Sequence, residues 1–474
     1  MIYDDLRSFI ARLDEFRELH RITKRVEKDG ELSAICRENF DRAGPALIFE
    51  AVGDYTTPLV TGVLGTNERY ARALDIEPSI PAITEKWNQA YRHPIPPKVV
   101  ARKDAPCKEV ELTDIDLYGE PFPVPKWHPL DGGPEIGTLH AVITLDPESG
   151  WINVGTYRNE IFNKDTIGCY VLPNRHDALH FYKWRERGEP MPVCVALGLD
   201  PYITLASASA VPLGINEYDI AGGLKGAPID VVKADLSDLL VPARAEIILE
   251  GEMPIDDFWP IEGPFGEFPG IMGTVVKPSH YIKIKKITHR RKPMFQGTLE
   301  GRPPSESTTV RSLCRSAAMF EHLRRAGLPG IKDVSITPMG CAGFHCVVSI
   351  KKIYHGQVRD IFGHVWGHPT LFAKHCIVVD EDIDPWNPLL VEWAIATRVQ
   401  ADRDVEIVKN GKSIRLDPSQ VPSMRGWSAL MGIDATIPHE WYERDGEKFP
   451  AFTDPLPEEM EKVRKQWGSY GFER

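Results

Sequence analysis

Tyr281-Ile282-Lys283-Ile284-Lys285-Lys286-Ile287 alternates apolar and charged side chains, the pattern of a strand with one buried face and its lysines turned outward. Upstream lie further strand-like runs: His140-Ala141-Val142-Ile143-Thr144-Leu145, Gly168-Cys169-Tyr170-Val171-Leu172, Val193-Cys194-Val195-Ala196-Leu197 and Glu246-Ile247-Ile248-Leu249-Glu250. One helical stretch, near 175–187, interrupts them. Many strands and few helices between about 135 and 300 predict a β-barrel in the middle of the chain.

The flanks read differently. Behind Asp4 and Asp5, the residues Leu6, Phe9, Ile10, Leu13, Phe16 and Leu19 fall at helical spacing, as on an amphipathic surface helix. Helical and strand-like stretches then alternate as far as the proline-rich His93-Pro94-Ile95-Pro96-Pro97, and a second such passage at 121–127 marks an entry loop. After about 305 the alternation resumes: 311–326 reads as a helix, and Cys376-Ile377-Val378-Val379-Asp380 as a buried strand. In the tail, Met460, Val463 and Trp467 share one helical face, which should dock on the body or on a neighbouring subunit. A chain of 474 residues exceeds one ordinary core, so several domains are expected. The expected class is α/β (α+β, multidomain): an N-terminal α/β domain at 1–115, a barrel at 116–305, a C-terminal α/β domain at 306–452 and a docking helix at 453–474.

Charge and composition narrow the function. A net charge of −12 argues against a nucleic-acid-binding surface, and His289-Arg290-Arg291-Lys292 reads as a solvated basic turn. No run approaches the roughly 18 apolar residues that cross a bilayer, and the N-terminus lacks the pattern of a signal peptide. Eight scattered cysteines, never spaced as CxxC, make neither a disulfide framework nor a zinc site. The expected compartment is the cytoplasm.

Four segments could carry chemistry. Glu262-Gly263-Pro264-Phe265-Gly266-Glu267 holds two carboxylates five residues apart on a turn that its glycines allow. Beside a cation, one such acid stays ionised while the other keeps a raised pKa and moves a proton; read alone, the motif also suits a solvated turn. Asn153-Val154-Gly155-Thr156-Tyr157-Arg158 places backbone N–H groups after a glycine and ends in an arginine able to grip a carboxylate, or else forms a hairpin with an exposed Arg. Pro173-Asn174-Arg175-His176 opens a helix, where anions are favoured, and His176 is a candidate ligand. Asn216-Glu217-Tyr218-Asp219 is an acidic helix start that would at least complement the helix dipole.

In this order and near this spacing, the four segments resemble the UbiD family of decarboxylases, which depend on prenylated FMN. The resemblance covers nearly the whole chain and is most specific from Asn153 to Glu267. It implies an N-terminal α/β domain, a central split β-barrel holding the flavin, and a C-terminal α/β domain that helps dimerise. Asn153, His176 and Glu217 stand where the family places the ligands of a divalent metal, usually Mn2+; such donors with a phosphate also suit Mg2+. K+ would sit near the carbonyls of Ser207-Ala208-Ser209-Ala210. The family's catalytic Glu-Arg-Glu set falls on Glu262, Arg158 and Glu267, with Glu267 as proton donor. Flavin contacts fall on Thr156, Tyr157, Arg158, Tyr170, Val171, Leu172, Arg175 and His176. The implied partners are a small carboxylic acid, a flavin prenyltransferase that supplies the cofactor, and further copies of the chain in a homodimer or larger homo-oligomer.

One position departs from the hydroxybenzoate-type relatives. Leu430 stands where they carry a Lys before the apolar-Asp-Ala-Thr segment Ile433-Asp434-Ala435-Thr436. Three other readings stay open: an aryl-CoA thioester substrate, helped by Arg290-Arg291 and Arg324-Arg325; a hydride-transferring oxidoreductase on ordinary FMN; and a non-catalytic assembly or cofactor-carrier subunit. The second lacks a nicotinamide-binding glycine fingerprint. His345, His355, His364, His368 and His375 show no metal-ligand spacing.

Overall fold

The computed structural model describes residues 3–169, 171, 175–209, 211–438, 449–450 and 453–472. At its centre is a nine-stranded sheet. Its hydrogen-bonded path runs Glu135–Gly137, Asn159–Asn163, Thr166–Gly168, Tyr281–His289, Ile247–Met253, Met191–Leu197, Ala141–Leu145 and Ile152–Gly155, with Val110–Glu111 also paired to Tyr281–His289. Two short connections force this sheet to curl. Residues 156–158 alone join Gly155, on one edge strand, to Asn159, one strand from the opposite edge. Laid flat, six strand spacings of about 4.8 Å would part them by roughly 29 Å, whereas so short a link reaches no more than about 15 Å. Residues 138–140 make the same crossing from Gly137 to Ala141. The sheet is therefore rolled into a half-barrel whose edges approach each other at these two links.

Both faces of the central strands are covered. Met191, Val193, Val195, Leu197, Ile247, Leu249, Ile282, Ile284 and Ile287 join one buried cluster, while Cys194, Ala196 and Ile248 join another. This is why Val193–Leu197 is continuously apolar. In the strand Tyr281–His289 the lysines end in ion pairs: Lys283 with Asp165 at 2.6 Å, Lys285 with Glu252 at 2.6 Å and Lys286 with Glu111 at 2.9 Å. The strand expected over 168–172 is shorter, Thr166–Gly168, and Tyr170 and Leu172 lie outside the described residues.

Phe295–Gln296, just past the half-barrel, completes a four-stranded N-terminal sheet with Leu19–Ile22, Ala46–Phe49 and Leu59–Thr61. The C-terminal sheet runs Ile331–Ile336, His345–Ile350, His375–Asp380, Trp427–Ala435 and Val405–Lys412. The helix Glu306–Arg325 packs against the first of these strands and ties the parts together. Its first residue, Glu306, is fully buried and accepts the backbone N–H groups of Gly62 and Leu64, both at 2.8 Å.

Local readings met two revisions. The first helix stops at Glu15, Phe16 lies under the guanidinium groups of Arg12 and Arg72, and Leu19 begins a strand. The turn 289–292 is not simply solvated: Arg290 pairs with Asp5 at 2.9 Å and Glu246 at 3.4 Å, beside the Arg7–Glu246 pair at 2.7 Å. In the tail helix Pro457–Lys465 no residue is buried, and Trp467 stacks on Phe472. All eight cysteines are free and seven are buried. Among the described residues no helix is long and apolar enough to cross a membrane. Replacing Glu306 by Gln turns an amide NH2 toward a backbone donor and removes a charge-assisted contact. We expect a loss of about 1.5–3 kcal/mol, read as a lower midpoint in urea unfolding followed by far-UV circular dichroism.

Candidate active site

The closing link 156–158 carries Arg158 into a cavity at the seam. Arg158 Nε donates to Glu262 Oε1 at 3.2 Å, and Nη1 donates to Glu267 Oε1 at 2.8 Å. The two acids sit on an irregular antiparallel hairpin, with Trp259 opposite Ser279, Glu262 opposite Val276 and Gly266 opposite Met272. Glu262 is fully buried, packs onto Gly168 and also accepts the Ser279 hydroxyl. Gly263, at φ 74°, turns the chain where a side chain would be strained. The Arg158 guanidinium lies 5.3 Å from the centre of the buried Phe265 ring.

The partners differ in their protonation. Burial pushes the Glu267 carboxyl up to about 7, only partly countered by Arg158. Arg158 is held firmly charged: burial opposes the charge, but Glu262, Glu135 and Glu267 outweigh it. One cation thus faces two carboxylates, one of which is easily kept neutral. That is a proton-transfer geometry.

Asn153, His176 and Glu217 line the same cavity. Asn153 lies on the edge strand opposite Thr144, and the N–H of its neighbour Val154 donates to Glu217 Oε2 at 2.8 Å. Glu217 opens the helix Glu217–Lys225, capped by the Asn216 side chain, and burial raises its pKa to about 8. His176 opens the helix His176–Arg187, whose N-cap Arg175 makes no capping hydrogen bond. Burial, then the Arg175 charge, lowers the His176 pKa and leaves a neutral imidazole. Thr156 binds Ser207, N–H to carbonyl at 3.3 Å, and Ser207, Ala208 and Ser209 line the cavity. Tyr157 lines it as well, and Val171 packs against the barrel cluster. Tyr170, Leu172, Asn174 and Ala210 lie outside the described residues.

The sequence reading missed several groups. Arg311 and Arg315 enter the cavity from the helix Glu306–Arg325. Their i, i+4 spacing on a face that otherwise offers Ser307, Val310 and Ala318 was the available signal. Arg311 grips Glu300 at 2.9 Å, while burial pushes the Arg315 guanidinium down to about 9. Among the described residues, Arg175 and Arg315 form no ion pair with a carboxylate, so they suit an anionic occupant. Glu135 was invisible from sequence. It is fully buried, neither of its carboxyl oxygens has a hydrogen-bond partner among the described residues, and burial drives its pKa well above the usual range. Leu430, in contrast, is buried against Gly411 in the C-terminal sheet and does not line the cavity.

The rolled sheet thus carries an acid–arginine–acid set at its seam, beside a corner lined by Arg175 and Arg315. Comparison with known families identifies the fold. The 3-octaprenyl-4-hydroxybenzoate carboxy-lyase models match in three parts: the N-terminal domain at 10–87, the Rift-related domain at 98–303 and the C-terminal domain at 308–435. A phenolic acid decarboxylase of Sedimentibacter hydroxybenzoicus is 33% identical over 454 residues, 92% of each chain. The vanillic acid decarboxylase of that organism, in closed form, superposes with a TM-score of 0.90 at 32% identity, covering 98% of this chain and 99% of the other. An evolved dimeric form of the UbiD-class enzyme HmfF from Pelotomaculum thermopropionicum, in complex with prFMN, gives 0.84 at 32% identity, covering 96% and 98%. The chain belongs to the UbiD family of prenylated-FMN-dependent decarboxylases.

Gly266 offers a test of the clamp around Glu267. Its N–H donates to Asp131 at 2.8 Å, and a Cβ placed on it would lie 2.3 Å from the His128 ring. Gly266→Ala should displace that ring and lower stability by about 1–3 kcal/mol, seen as a reduced thermal midpoint against wild type.

Proposed function

We propose that this protein decarboxylates, or reversibly carboxylates, an aromatic, heteroaromatic or α,β-unsaturated carboxylic acid, with Glu267 as the proton donor. The observation that carries the reading is Arg158 held between Glu262 and Glu267, with Arg158 and Glu267 on the cavity wall. Prenylated FMN, when bound, supplies an electrophilic ring that takes up electrons from the substrate. The chain's own part is positional and protonic. Arg158 orients the substrate carboxylate, and Glu262, fixed by Ser279, keeps Arg158 in place. Glu267, kept neutral by burial, delivers a proton to the carbon that loses CO2.

The opposite corner fits the cofactor's phosphate and a metal. Arg175 and the uncapped start of His176–Arg187 suit the phosphate. Asn153, Glu217 and a neutral His176 are a donor set for Mn2+ or Mg2+, and a cation there would relieve the burial that raises Glu217. No group of three His, Cys, Asp or Glu forms a metal site among the described residues; this corner offers only two such side chains plus an amide, so the phosphate would complete it. K+ would take carbonyls of 207–210. The cofactor would come from a flavin prenyltransferase, and copies of the chain would assemble as a homodimer or a multiple of it in the cytoplasm. For the thioester reading, Arg290 is engaged by Asp5 and Glu246, while Arg324 and Arg325 share Glu321 and stay half exposed. The hydride-transfer reading leaves the acid–arginine–acid set idle.

Glu267→Gln should cut CO2 release about 10²-fold or more while the protein keeps its flavin spectrum. In the wild type, activity should fall as pH rises through about 7, where Glu267 loses its proton, and full turnover by Glu267→Gln would refute its role. His176→Ala should come off purification depleted of both flavin and metal, measured by absorbance and elemental analysis; wild-type occupancy would remove His176 from the ligand set.

A further inference from the structure

Behind Glu267 lies a second cavity of about 410 Å3. It shares Glu267 and Glu300 with the active-site cavity, so the acid forms a wall one side chain thick between the two. The exposed Ala34 and Pro129 stand on its outer rim, and Arg37, His128 and Arg302 add charge to its lining. The volume suffices for several waters, each with a liquid share of about 30 Å3.

The chemistry gives such a space a use. Each turnover converts R–CO2− and one proton into R–H and CO2, and Glu267, having given its proton to carbon, is left as a carboxylate. Until product leaves, the bound flavin and product cover the front of the site, and the backbone that carries the acid is held in place. Its N–H binds Ile271 O at 2.9 Å, its carbonyl accepts from Gly270 at 2.8 Å, and its stem rests on Gly273, where a Cβ would come within 2.9 Å of Glu267 Cγ. A proton that reaches the acid from behind need not wait for the front to clear.

We propose that the second cavity is a water-filled inlet through which Glu267 recovers its proton from bulk solvent after each turnover. The proposal rests on Glu267 being the acid. A proton passes from hydronium or a buffer acid along water in the inlet to the Glu267 carboxylate, and no other reactant is consumed.

Trp placed at the rim closes the inlet from either side: Ala34→Trp from the N-terminal domain, and Pro129→Trp from the entry loop. In the holoenzyme carrying Met272→Cys, modification of residue 272 by a small thiol reagent, read by peptide mass spectrometry, reports closure, since Met272 lines the cavity. CO2 release is then compared with enzyme in excess and with substrate in excess. Closed variants should complete the first turnover at the wild-type rate and slow roughly 10-fold or more in the steady state. Unchanged steady-state turnover in a variant shown to be closed would overturn the inlet, as would a first turnover slowed as much as the later ones. Loss of the first turnover in Glu267→Gln supports the underlying acid; its retention defeats that reading separately.

Discussion

Two links of three residues govern this molecule. Residues 138–140 and 156–158 each cross from one end of the central sheet to the other, and neither is long enough to do so unless the sheet rolls up. Closure therefore follows from chain connectivity as much as from packing. The same links deliver Thr138, Thr156, Tyr157 and Arg158 to the seam where the rolled sheet's ends approach each other. A seam in a half-barrel is where backbone leaves the ladder and side chains can face a ligand.

The charges gathered there are not a source of stability. Burying an arginine with several carboxylates costs more than their attraction returns unless protons are retained. Glu135, Glu160 and Glu267 all have raised pKa values, with burial the largest cause in each case. The apolar clusters on both faces of the sheet, and contacts such as Glu306 with two N-terminal amides, hold the frame in which this arrangement persists. The site spends stability to keep neutral acids beside a permanent cation.

Much of this was legible in the residues. Alternation in 281–287 and unbroken apolar runs at 193–197 and 247–249 report burial on one face or two. The four chemical segments became informative only through their order, since each alone also reads as an ordinary turn, hairpin or helix start. What stayed hidden depends on distances across the chain. Nothing local marks Glu135 as buried, and Arg290 resembled a solvated turn until Asp5 and Glu246 arrived from remote parts of the sequence. Arg311 and Arg315 were visible as spacing, but the face they occupy only acquires meaning once the helix is set against the seam.

The cavity walls have unequal freedom to vary. The seam side is inextensible: one added residue in 156–158 would slacken the roll and move the guanidinium off its acids. Elsewhere the lining combines the helix Glu306–Arg325 with Thr370, Leu371 and Leu416, from loops of the C-terminal region that no ladder constrains. Sequence drift should accumulate on that loop-built part, leaving the seam side to be inherited intact.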